Sequence, residues 1–254
     1  MQSLHFTAET SSNGVIEHNF TVGEVTGALW SPAPGANQAP LVLLGHGGGQ
    51  HRKAPVMAGR AHRIVTNCRF TVAAIDAPGH GGRPRTAHDK QEVAAMQQAR
   101  AAGEPEGPIV IRYNAYLAER AVPGWQATLG ALQELPEIGA GGPVGYWGLN
   151  MGTAIGVPLA AAEPRITAAV FGLYWPDALA EAASQITIPI EFHLQWDDEH
   201  IDRQSGLALF DAFASKEKTL HANAGAHEEV PRFEADSAVQ FFARHLGRPA
   251  TSPA

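Results

Sequence analysis

At 254 residues the chain is long enough for one large α/β domain or two small ones, and can bury roughly 70–75% of its unfolded surface. Its 27 glycines and 18 prolines among 254 residues stay below the roughly 25–30% Gly-plus-Pro share of low-complexity chains, and its 44% hydrophobic content is close to the globular norm, which excludes bulk disorder. A net charge of −7, with 18 scattered Lys and Arg residues, argues against a nucleic-acid partner. Cys68, the single cysteine, excludes a disulfide scaffold and a multi-cysteine metal knuckle and points to a reducing cytoplasm. Residues 1–9 carry neither a basic nor an apolar leader stretch, and no run of ~18 apolar residues occurs, so a cytoplasmic chain without membrane contact is expected.

No repeat of 20–50 residues runs through the chain. Residues 15–22 and 25–31 alternate polar with apolar and predict an antiparallel edge hairpin. A strand at 40–45, a helix at 54–66 and a strand at 70–76 follow. From about 82 to 123 the alternation stalls in polar sequence with a break at Gly103, Glu104, Pro105, Glu106, Gly107 and Pro108. This stretch reads as a cap over a site built at the carboxyl ends of the strands. Thereafter helices at 109–135, 151–162, 177–185, 203–214 and 233–246 alternate with strands at 143–148, 166–174, 189–195 and 218–222. The later strands are nearly continuous in apolar residues, as a parallel sheet covered on both faces requires. The expectation is an α/β fold with a mostly parallel eight-stranded sheet, helices on both faces and a frayed tail from Arg248 to Ala254.

The sharpest local pattern is Gly148, Leu149, Asn150, Met151, Gly152, which follows an apolar strand and opens a helix. Strand, tight turn, helix is the context of a nucleophile elbow, in which two glycines allow close approach and the central residue must accept a positive φ. Asn is one of the few residues with a Cβ that does so at low cost. Its chemistry is a different matter, because the amide nitrogen lone pair is delocalised and the group has no transferable hydroxyl proton.

With this elbow the chain resembles the α/β-hydrolase superfamily, and in particular the dienelactone-hydrolase-like esterases, from about residue 15 to residue 246. Gly45, His46, Gly47, Gly48 and Gly49 are similar to the family's oxyanion loop, and Asp76 through Gly81 to its turn leading to the cap. Gln195 through Ile201 looks like the acid-bearing loop, and Gly225, Ala226, His227 like the histidine loop. Elbow residue, acid and histidine come in the superfamily's chain order. The resemblance implies one α/β-hydrolase domain over 1–254, hydrolysis of a small carboxylic ester or lactone, and no cofactor.

It further implies that His227 acts as base toward position 150 and that Asp198 orients its other ring nitrogen, with Asp197 as the competing acid. The oxyanion hole would use the backbone N–H of Met151 with that of Gly48 or Gly49. His46, Tyr174 and Trp175 are candidate substrate contacts, although core packing explains the aromatic residues equally well. The departure from the pattern is Asn150, where the family has Ser or Cys. Three readings stand: an esterase inactivated at its nucleophile that still binds substrate; a natural non-hydrolytic member, either a ligand-binding module or a cofactor-free lyase or cyclase with His227 as base; and a descendant of an aspartate-dependent dehalogenase or epoxide hydrolase.

Other features lack the spacing their chemistry needs. The glycines between Gly139 and Gly145 precede a strand, whereas a dinucleotide loop follows one. His46 with His51, and the run Asp197 to Asp202 with His200, match no metal motif, and no metal is expected. Oligomeric state has no signature in the sequence.

Overall fold

The computed structural model describes residues 3–34 and 38–247, so the expectation for the tail from Arg248 lies outside the described residues. The predicted hairpin is β2 (Val15–Val22) and β3 (Val25–Pro32), paired antiparallel in continuous register. A further strand, β1 (Leu4–Ser12), lies antiparallel along the outer edge of β2. It is exposed along nearly its whole length, so no buried face imposes a hydrophobic pattern on it. Among the described residues nine strands therefore form the sheet where pattern alone singled out eight.

The chain then alternates through β4 (Leu41–Gly45), α1 (Pro55–Cys68), β5 (Thr71–Ile75), two successive helices α2 (Ala87–Ala102) and α3 (Gly107–Leu132), β6 (Val144–Gly148), α4 (Met151–Ala162), β7 (Ile166–Gly172), α5 (Ala180–Ala183), β8 (Ile190–Gln195), α6 (Arg203–Ala212), β9 (Lys218–Asn223) and α7 (Glu234–Leu246). The strand order is β1-β2-β3-β5-β4-β6-β7-β8-β9. Pairings from β5 through β9 are all parallel, and those from β1 to β5 antiparallel. The expected strand at 166–174 stops at Gly172, because Leu173 turns into the left-handed region at φ 54°. The expected helix at 177–185 contracts to the single turn α5.

Alternation along the central strands divides the core in two. In β6, Tyr146 packs edge-on to Trp125 of α3 and against Phe171 of β7. Its neighbour Trp147 points to the other face, where it meets Phe242 of α7 and lies under the Arg60 guanidinium of α1. Both aromatic residues are fully buried, each worth about 3 kcal/mol by apolar area. Cys68 ends α1 half-buried beside α7, with its Sγ 3.7 Å from the Val239 carbonyl.

The polar stretch after residue 82 is more regular than its composition suggested. Thr86 and Asp89 form a reciprocal capping box at the start of α2, and Gly103 ends that helix in the left-handed conformation. Asp89 is fully buried and also accepts from Arg120 of α3 at 2.9 Å, while Arg112 of α3 reaches Glu92 of α2 at 2.7 Å. Among the described residues no helix is long and apolar enough to cross a membrane.

Candidate active site

The elbow forms where β6 hands over to α4. Asn150 sits at φ 58°, ψ −123°, a conformation a side chain adopts only where its surroundings enforce it. A Cβ on Gly152 would lie 2.6 Å from the Gly45 carbonyl oxygen, and one on Gly148 would lie 2.6 Å from the Gly152 carbonyl group. Both positions therefore require glycine. Thr153 locks the turn to the next strand: its hydroxyl oxygen accepts the Gly172 N–H at 2.9 Å and lies 2.8 Å from the Gly148 carbonyl oxygen.

Two loops bring the remaining groups to Asn150. Its Nδ2 lies 2.8 Å from Nε2 of His227, and Nδ1 of His227 lies 2.7 Å from Oδ2 of Asp198. An amide nitrogen can only donate, so Nε2 accepts and Nδ1 carries the proton given to Asp198. Asp198 also accepts the backbone N–H groups of His200 at 2.8 Å and Ile201 at 2.9 Å. Burial opposes its ionisation, but the hydrogen bonds from His227, Ile201 and His200 outweigh it and hold the carboxyl below its usual range.

The neighbouring acids hold the histidine loop by its backbone. Asp197 accepts the Gly225 N–H at 3.1 Å and Glu199 accepts the His227 N–H at 2.9 Å. Thus Asp198, rather than Asp197, reaches the imidazole. Its place three residues before the apolar Ile201 favours Asp198 in the sequence by a narrow margin, since the roles of the three acids depend on how the loop after β9 crosses the loop after β8.

A cleft of about 850 Å³ opens over this constellation, floored by Gly48, Asn150, Met151 and His227 and roofed by α2 and α3, which contribute Met96 and Tyr113. Gly49 and Trp175 also line it. Met151 is the first residue of α4, so its N–H has no partner within the helix. His46 and Tyr174, expected at the cleft, are not among its lining residues. His46 is buried, with Nε2 accepting the Ala77 N–H at 3.0 Å and Nδ1 donating to the Gly47 carbonyl at 2.9 Å. It ties the loop after β4 to the loop after β5. Tyr174 is buried behind Trp175, edge-on at 5.3 Å. His80, from the turn after β5, does line the cleft.

The fold has solved counterparts. A cold-adapted esterase from an Arctic intertidal metagenomic library, solved with PEG bound, is 33% identical over 94% of this chain and 97% of its own, with a TM-score of 0.75. The chain belongs to the α/β-hydrolase superfamily. Other members of the superfamily share the fold at lower identity: the dienelactone hydrolase of Anabaena variabilis at 18% identity covers 94% of this chain and 98% of its own, with a TM-score of 0.61. An acetyl xylan esterase from a Thermoanaerobacterium species, at 15% identity, covers 96% of this chain and 88% of its own, with a TM-score of 0.65. No family model and no curated protein matches the sequence.

Proposed function

We propose that this chain is an ester- or lactone-binding α/β-hydrolase whose acyl transfer is blocked at the nucleophile. The observation that carries this reading is the Asn150–His227–Asp198 chain of hydrogen bonds, at 2.8 and 2.7 Å, at the floor of the cleft. In a hydrolase of this type a serine hydroxyl donates to Nε2, loses its proton there and attacks the carbonyl carbon. Asn150 supplies the same donor from the same turn. It holds the imidazole in place by the same contact, yet has no alkoxide to form.

The remaining groups suit the reaction. The N–H of Met151 and those of the glycines at 48 and 49, which line the cleft, would receive a carbonyl oxygen as charge grows on it. Asp198 would stabilise an imidazolium at His227, while α2 and α3 would act as the cap that excludes water and sets substrate shape. Esterase relatives support a small ester or lactone as ligand. The use of His227 as a base in a lyase or cyclase is less well supported, because Asn150 occupies the Nε2 lone pair that such a base would need.

Removing a triad serine lowers kcat on the order of 10⁶-fold, so restoring one has far to climb. Asn150→Ser should raise hydrolysis of an activated short-chain ester by at least ~10³-fold over the Asn form. The Asn form should bind that ester and release it unchanged in equilibrium dialysis. A serine variant that folds normally but hydrolyses no faster would sink the proposal.

A further inference from the structure

On the face of the sheet that packs against α7, four side chains converge that the ester chemistry does not use. Glu191 and His193 are two residues apart on β8 and so share a face; His221 is the direct partner of His193 on β9; Glu234 is the first residue of α7. One ligand atom from each lies within 4.8 Å of all the others. The contacts are 2.9 Å from His193 Nε2 to Glu191 Oε1, 2.7 Å from His221 Nδ1 to Glu234 Oε2, and 3.8 Å from His193 Nε2 to Glu234 Oε2. Ligand atoms of a tetrahedral zinc site with ~2.0–2.2 Å bonds stand roughly 3.4 Å apart. The observed spacings bracket that value.

We infer that Glu191, His193, His221 and Glu234 form a structural binding site for a divalent transition metal, Zn²⁺ by its two-imidazole, two-carboxylate donor set. The outer oxygens are already held, Glu191 Oε2 by Ser237 Oγ at 3.0 Å and Glu234 Oε1 by Asn223 Nδ2 at 2.8 Å. This leaves Oε1 of Glu191 and Oε2 of Glu234 aimed at the imidazoles, the arrangement by which outer partners orient ligating carboxylates. Charge points the same way. Both carboxylates are about 4% exposed, and among the described residues neither pairs with a Lys or Arg. A divalent ion would neutralise the two carboxylates. His221, 22% exposed at its side chain, leaves a path from solvent.

Such an ion would brace β8 and β9, whose carboxyl ends lead into the loops carrying Asp198 and His227. The full chain, stripped with dipicolinate and dialysed, is titrated with Zn²⁺ alone by calorimetry and followed by thermal melting. One equivalent should bind with micromolar or tighter affinity and raise the melting temperature. Co²⁺ in its place should give the visible bands of four-coordinate nitrogen and oxygen ligation. Glu234→Gln and His221→Gln should each weaken binding by more than about 100-fold, and His227→Ala should leave it unchanged. If neither ligand variant folds, Asn223→Ala and Ser237→Ala should loosen it by roughly 10- to 100-fold, and unchanged affinity in both would count against the site. No stoichiometric binding to the parent chain, or binding abolished only by His227→Ala, overturns the inference.

Discussion

At the scale of single residues, Asn150 preserves the form of a nucleophile elbow and removes its reactivity. The strained turn needs only a side chain that tolerates φ 58° and glycines on either side, and Asn meets that requirement as well as Ser does. His46 illustrates a different separation of form and role. Burial, opposed by its bond to Gly47, pushes its pKa from the usual 6.5 down to about 4. The unfolded chain therefore takes up a proton between pH ~6.5 and ~4 that the folded chain refuses. The stability this confers is complete above pH ~6.5, is lost as pH falls, and levels off below pH ~4, a total of about 3 kcal/mol. Urea midpoints measured across that window should fall steeply for the parent chain and much less for His46→Gln. The depressed carboxyl of Asp198 acts in the same direction, its contribution being lost as pH drops below the normal carboxylate range.

At the scale of elements, two junctions hold the cleft together. The first is β6 to α4, where Gly152 abuts the Gly45 backbone; Gly152→Ala should cost about 3 kcal/mol by denaturant melts, because neither contact partner is a movable side chain. The second is α2 against α3, anchored on Asp89, which caps α2 through Thr86 and receives Arg120. Asp89→Ala removes a buried anion with both partners in place and should cost about 3 kcal/mol. Limited proteolysis should then cut first between residues 87 and 106. Equal cleavage of variant and parent there would argue that the two helices do not depend on this residue.

At the scale of the whole molecule, the sheet has unequal margins. Among the described residues β1 pairs only with β2 and contributes only the half-buried Leu4 to the core, a burial worth about 1 kcal/mol. A chain beginning at Asn13 should fold with a modest loss of stability and keep the esterase gain of Asn150→Ser. With the edge of β2 uncovered it should also self-associate more readily, visible as increased light scattering. The other side of the sheet is tied by the Glu191, His193, His221 and Glu234 cluster. That cluster has no sequence motif, because its members come from two strands and a helix and only the i, i+2 spacing of Glu191 and His193 hints that they share a face.

The sequence by itself determined the parallel sheet, through apolar runs that demand burial on both faces, and the elbow, through glycines and an Asn confined to a handful of adjacent positions. It also determined the order of Asn150, Asp198 and His227 along the chain. These features rest on local sterics and hydrophobic pattern, which neighbouring residues express directly. Only the tertiary structure decided that Asp198 takes the imidazole while Asp197 and Glu199 take the backbone, that His46 ties two loops instead of lining the cleft, and that a polar stretch folds into α2. Those outcomes depend on pairings between segments tens of residues apart, where a hydrogen bond to a buried group overrides what composition alone prescribes.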